Sequence, residues 1–230
     1  MYVREQIKMG WSPEQISGRI KKDKPGLKTN YESIYQYIYK VEQNLIGCLA
    51  RRHRRRKKRG LKKERRIGKI PDRVSIEDRP KIVDERSEFG HWEIDTVVSR
   101  ESKACLMVAV ERKSRFMIIR KLNDKSTKEM MDKAIEFFKT LPENMRKTIT
   151  FDNGTENAGH MRLKDELNMD TYFCRPYHSW EKGTVENSIG LIRRQCPKKT
   201  NFAYVSIEEL DKLEKQINNR PRKCLNYMTP

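Results

Sequence analysis

No stretch of the 230 residues approaches the roughly 20 consecutive apolar residues that a membrane span needs. Residues 1–10 also lack the apolar stretch of a secretory signal, so a soluble protein of the cytoplasm is expected. Apolar residues make up only 36% of the chain, too few for one compact globule of this length, and part of it should be poor in core. The five cysteines, Cys48, Cys105, Cys174, Cys196 and Cys224, are odd in number and scattered, with neither a Cys-x-x-Cys pair nor a His pair at zinc-ligand spacing. They read as reduced, mostly structural thiols. Negative charge is scarce as well: 32 Asp and Glu face 51 Lys and Arg, and the net +19 calls for an anionic partner, nucleic acid by default.

The chain divides by composition into a small helical segment (1–48), a basic linker (49–86) and a mixed α/β domain (87–230). Ser12-Pro13-Glu14-Gln15 has an N-cap Ser, Pro at the first helical position and Gln at N3, a capping box. That helix should stop near Asp23-Lys24-Pro25-Gly26, and Thr29-Asn30-Tyr31-Glu32 offers a second box opening a helix from about Tyr31 to Leu45. Its apolar positions leave Tyr31, Glu32, Ser33 and Gln36 exposed near the N-terminal turn, a helix-turn-helix layout in which Tyr31, Ser33 and Gln36 are candidates for DNA contact. A plain helical hairpin fits the same pattern. Residues 51–66 hold twelve Lys/Arg and one Glu, +11 of the whole surplus. Such a run is either a solvated linker or a phosphate-binding one; Arg51, Arg52, Arg54, Arg55, Arg56, Lys57 and Lys58 are candidates for the second role.

Beyond Phe89 the pattern becomes strand-like at His91 to Ser99, Ala104 to Val110, Phe116 to Arg120 and Lys147 to Phe151, with a helix from Lys128 to Leu141 capped by Ser126 and Glu129. A strand at Thr171 to Cys174, a helix from about Thr184 to Gln195 and a last helix opening at Ser206 follow. Three carboxylates stand out. Asp95 lies inside the first strand, Asp152 directly after the apolar Thr148-Ile149-Thr150-Phe151, and Glu186 beside the apolar stripe of its helix, on one face with Gly190 and Arg193. Each has a bland explanation: a half-solvated sheet face, an Asp-Asn-Gly turn, a helix surface. Their joint placement on a strand, a strand end and a helix suits a two-metal site built on hard oxygen ligands. Gly190 and Arg193 would then face a DNA backbone.

The motifs Gly10-Trp11-Ser12-Pro13-Glu14-Gln15-Ile16, Phe89-Gly90-His91-Trp92-Glu93-Ile94-Asp95, Asp152-Asn153-Gly154-Thr155-Glu156, and Pro176-Tyr177-His178-Ser179-Trp180 running on to Gly183-Thr184-Val185-Glu186-Asn187 carry a resemblance, with Asn218-Asn219-Arg220-Pro221-Arg222-Lys223 as a fifth. In this order, and with 33 residues between Asp152 and Glu186, the chain resembles the DDE transposases of ribonuclease-H-like fold, specifically the IS30 family. The resemblance implies a mixed five-stranded sheet with flanking helices, and a catalytic, metal-binding triad of Asp95, Asp152 and Glu186 using Mg²⁺ or Mn²⁺. It further implies strand cleavage and transfer on double-stranded DNA, at terminal inverted repeats and target, by a homo-oligomer that synapses two ends. His178 stands where the family commonly has Ser, and Val185 where it commonly has Asn. Family members commonly carry a further helix-turn-helix segment ahead of the position of Met1 and extend past Pro230. That leaves a second reading open, a truncated, non-catalytic remnant that occupies or represses the element ends. A nuclease of the same fold acting on RNA:DNA hybrids is a third.

Overall fold

The computed structural model describes residues 1–50, 70–176 and 178–230, which form two compact units. Candidates Arg51, Arg52, Arg54, Arg55, Arg56, Lys57 and Lys58 lie outside the described residues.

The first unit holds helices α1 (Tyr2–Lys8), α2 (Pro13–Asp23) and α3 (Tyr31–Lys40) around Ile7, Ile16, Ile34, Ile38 and Leu45. The Ser12 box is formed in both directions: the Gln15 N–H donates to Ser12 Oγ (3.2 Å) and the Ser12 N–H to Gln15 Oε1 (2.9 Å). The second expected box is not. Asn30 caps α3 instead, its Oδ1 accepting the Ser33 N–H at 2.7 Å, because the asparagine is one residue nearer the helix. α3 also stops at Lys40, short of Leu45, which reaches the core from a 3₁₀ turn at Gln43–Cys48. Tyr31, Ser33 and Gln36 are exposed, as the periodicity required. Asn218–Pro230, expected to close the sheet domain, belongs to this unit. The Gln15 amide donates to the Pro221 carbonyl (2.6 Å), the Arg19 guanidinium to that of Tyr227 (3.1 Å), and the Tyr227 ring covers Gly18 so closely that a Cβ there would stand 2.3 Å from it.

The second unit is a five-stranded sheet in the order β3-β2-β1-β4-β5: β1 (His91–Val98), β2 (Cys105–Glu111), β3 (Met117–Leu122), β4 (Thr148–Phe151) and β5 (Asp170–Phe173). The first three are antiparallel neighbours, whereas β4 runs parallel to both β1 and β5. β2 is buried along its whole length, so both sheet faces must be covered. Ahead of the sheet lies α4 (Lys81–Glu85). On one face α5 (Thr127–Lys139) and α6 (Met161–Leu167) close over Trp92, Ile94, Met107 and Phe151; on the other α7 (Gly183–Gln195) and α8 (Ile207–Asn218) close over Val97, Leu106, Val108 and Met117. The mixed five-stranded sheet with flanking helices is the one the resemblance implied.

Ser126 caps α5, but Glu129 turns away to accept from Asn123 (2.8 Å to its side chain), so only half of that expected box exists. The linker expected to run to 86 is already packed by Ile70: the Phe173 N–H donates to the Val74 carbonyl (2.9 Å), and α4 buries Val83.

Burial of Cys105, Cys174 and Cys196 pushes their thiols up, the first to about 11 and the second to about 12. Iodoacetamide at pH 8 should therefore label two thiols quickly, the exposed Cys48 and Cys224, and the other three only in denaturant. Rapid native labelling of Cys174, read by mass spectrometry, would contradict this packing.

Candidate active site

The ladder between β1 and β4 sets the site. His91 pairs with Thr148, Trp92 with Ile149 and Glu93 with Thr150; carried two residues further, the same offset sets Asp95 beside Asp152. Parallel neighbours lie about 4.8 Å apart, and here both strands run out in the same direction. Asp152 directly follows the carboxyl end of β4, while Asp95 lies beside it within β1, which runs on to Val98, at the line where the sheet changes from antiparallel to parallel pairing. The bland account of Asp95, a half-solvated sheet face, does not hold, because α7 covers that face.

Between the two aspartates sits Lys182, the last residue of the 3₁₀ turn that leads into α7. Its side chain is 3% exposed, and its ammonium donates to the Ile94 carbonyl (3.0 Å). The ammonium lies 3.3 Å from Asp95 Oδ2 and 3.8 Å from Asp152 Oδ2. Burial works against the charge on Lys182, the two carboxylates favour it, and the net shift is upward. For Asp95, burial pushes the carboxyl up, Lys182 pulls it down and Asp152 pushes it up again, leaving it raised. Two carboxylates thus share one ammonium, and the three groups together are short of one positive charge.

Asp152 is aimed by its own loop. Its Oδ1 accepts the Gly154 N–H (3.2 Å) and the Asn157 amide (3.0 Å), while the Asn153 amide donates to the Cys174 carbonyl (2.7 Å). The turn and the site are the same residues. Glu156, buried behind them, accepts from the Thr96 hydroxyl (3.2 Å) and pairs with Lys125 (2.9 Å). A side chain at Gly154 would meet the Glu156 carboxylate at 2.4 Å, so any substitution there must displace that carboxylate.

Glu186 lies on the exposed side of the first turn of α7, four residues after Lys182. Gly190, one turn on, faces open space. Among the described residues no group of three or more His, Cys, Asp or Glu is arranged to hold a metal ion, so the structure brings Asp95 and Asp152 together without Glu186. Arg193, placed by its spacing on a DNA-facing surface, donates instead to the carbonyls of Val98 (2.6 Å), Pro197 (3.4 Å) and Cys196 (3.5 Å), tying α7 to the end of β1. Lys182 escaped the reading of the sequence because one lysine among so many basic residues carries no signal. Its four-residue spacing from Glu186 is the trace it leaves.

Comparison with known proteins bears on these residues. The integrase core domain family matches residues 85–179, a span that takes in Asp95 and Asp152 and stops before Glu186. The transposase of insertion sequence element IS4351 from Bacteroides fragilis is 39% identical over 97% of this chain and 69% of its own length. The transposase InsI of element IS30C from Escherichia coli K12 is 37% identical over 99% of this chain and 62% of its own length. Among solved structures, the catalytic core domain of BIV integrase shares 16% identity over 56% of this chain and 82% of that one, at a TM-score of 0.45.

Removing one member of a buried ionic cluster leaves its partners uncompensated, at about 3–5 kcal/mol; the half exposure of Asp152 reduces that here to about 2 kcal/mol. Lys182→Met should lower the unfolding free energy by that amount in urea titrations with chelator present, and Asp95→Asn in the same chain should restore at least half of it. A Lys182→Met protein as stable as the parent would show that the lysine is not the counter-ion of the pair.

Proposed function

The chain belongs to the IS30 family of insertion-sequence transposases, enzymes that cut and join DNA, and we propose that Asp95, Asp152 and Glu186 are its catalytic, metal-holding carboxylates, acting at the terminal inverted repeats of an element. The observation that carries this reading is the pair of aspartates side by side on adjacent parallel strands, Asp95 within β1 and Asp152 just past β4, short of one positive charge. Carboxylates on rigid elements, starved of a cation, suit Mg²⁺ or Mn²⁺, which take hard oxygen donors and few of them from protein. Asp95 and Asp152 would hold the ion, and Glu186 would join from the first turn of α7. When bound, it supplies Lewis acidity at the scissile phosphate and acidifies the attacking water or 3′-hydroxyl.

The remaining work falls to the chain. β1 fixes Asp95, and the Gly154 and Asn157 donors fix the direction of Asp152, so neither carboxylate must reorganise as charge develops. Lys182 holds half of the required positive charge in place, buried from water. The exposed face of α7, with Glu186 beside an uncovered Gly190, leaves room for a DNA backbone at the carboxylates. In the other unit, the exposed Tyr31, Ser33 and Gln36 on α3 are the proposed contacts to terminal-repeat DNA, with the basic run 51–58 adding phosphate contacts. Joining two ends calls for a multimer. Among the described residues no helix is long and apolar enough to cross a membrane, and action on nucleoid DNA in the cytoplasm fits this role.

Asp95→Asn, Asp152→Asn and Glu186→Gln should each lower Mg²⁺-dependent cleavage of terminal-repeat DNA by about a thousandfold or more, with gel-shift affinity unchanged. Full activity in any one of them would remove that residue from the site, and loss of binding would place it in DNA recognition instead. Gln36→Ala should weaken binding to the terminal repeat by about 1–3 kcal/mol while leaving binding to unrelated duplex unaltered. Equal loss on both DNAs would make Gln36 a backbone contact.

A further inference from the structure

A chain of charges, buried at Glu93, Arg112 and Arg79 and exposed at Asp84, runs behind the site, and it touches each of the three segments that carry the carboxylates. Glu93, two residues before Asp95, is fully buried; its Oε2 accepts the backbone N–H of Val185 (3.0 Å), the residue before Glu186. The other oxygen of Glu93 accepts from Arg112 Nη1 at 2.5 Å. Arg112, itself buried, donates from Nε to the Val83 carbonyl (3.0 Å) and from Nη2 to Asp84 Oδ1 (3.3 Å). Asp84 also pairs with Arg79, whose Nη1 donates to the Thr150 hydroxyl (2.8 Å). Thr150 is buried, pairs with Glu93 in the ladder and stands two residues before Asp152. One continuous path therefore leads from Val185 through Glu93, Arg112, Asp84 and Arg79 to Thr150.

Such a path is expensive. Each buried ion forfeits several kcal/mol of hydration, and a well-packed apolar cluster of similar volume would serve stability as well or better. What apolar packing cannot do is fix direction, and every bond here is directional. The Glu93 carboxylate receives an N–H that the first turn of α7 would otherwise leave unpaired, at the positive end of the helix dipole. The covering of α7 over Val97, Val108 and Leu106 is apolar, and Arg193 on the Val98 carbonyl and Arg115 on the Thr184 hydroxyl (2.9 Å) hold it through long side chains, so the Glu93 bond adds a fixed point on the backbone of its first turn. Glu186 sits on that turn.

We propose that Glu93 is a positioning residue for strand cleavage and joining: it sets the first turn of α7, and with it Glu186, against Asp95 and Asp152, and the Arg112–Asp84–Arg79 path carries the same constraint to β4. This rests on the assignment of those three carboxylates to the catalytic site. Glu93 itself touches neither DNA nor the reacting atoms.

The test separates positioning from mere stability. In the double variant Glu93→Leu/Arg112→Met the buried pair leaves together, so the protein should stay folded, its urea midpoint lowered only by the lost bonds to the Val185 N–H and the Val83 carbonyl. The kcat for cleavage of terminal-repeat DNA should nonetheless fall about a hundredfold, the effect of a misplacement of about 1 Å, with KM for DNA within twofold of the parent. Mn²⁺ binding followed by electron paramagnetic resonance without DNA should weaken about tenfold, a loss that a purely structural role would not produce. If the double variant does not fold, isosteric Glu93→Gln takes its place and should show the same split between kcat and KM. Parent-like kcat and Mn²⁺ affinity in a folded variant would overturn the proposal. Parallel assays of Asp95→Asn, Asp152→Asn and Glu186→Gln distinguish the two levels: if these are inactive while the Glu93 variants match the parent, only the positioning role fails, and if these are active the catalytic assignment itself fails.

Discussion

Asp95 and Asp152 repel each other, and the ladder between β1 and β4 holds them side by side all the same. Parallel pairing allows no other outcome once both strands run in the same direction with an aspartate at matched register. The repulsion is partly met by Lys182, drawn in under α7 with its ammonium shared between the two carboxylates. Everything around the site follows from that unsatisfied demand for charge. Gly154 and Asn157 donate to aim Asp152, and the 3₁₀ turn just ahead of α7 delivers Lys182 to the pair.

Much of this was legible in the sequence, for identifiable reasons. The five strands were readable because β2 is apolar on both faces and because turn residues bracket the others. Asp95 and Asp152 were findable from their positions in and after strands. The short helices α4 and α6 were not: five and seven residues give too little periodicity, and α6 ends on Asn168 in the left-handed region rather than on a glycine. The tail 218–230 was assigned to the wrong unit because its attachment is made by side-chain donors to carbonyls, as from Gln15 to Pro221, which leave no pattern in composition.

The site was legible only in part. Carboxylates announce themselves in a basic chain, whereas the residues that support them do not. Lys182, Arg112 and Arg79 are three among 51 basic residues, and nothing but the fold distinguishes the buried from the solvated. Arg193 makes the complementary point: its spacing on α7 suggested an outward role, yet its guanidinium meets the Val98 carbonyl at the end of β1. Helical spacing fixes the face of a side chain, but a long arginine can still bend back to an acceptor.

The most direct test of the central claim is a crystal of the protein on terminal-repeat DNA soaked in Mn²⁺, with anomalous diffraction recorded at the manganese edge. The account predicts a peak held jointly by Asp95 and Asp152, with Glu186 turned toward it and the Lys182 ammonium moved off at least one of the two carboxylates. Manganese bound away from this pair, or Asp95 and Asp152 still closed on Lys182 in a complex competent for cleavage, would contradict it.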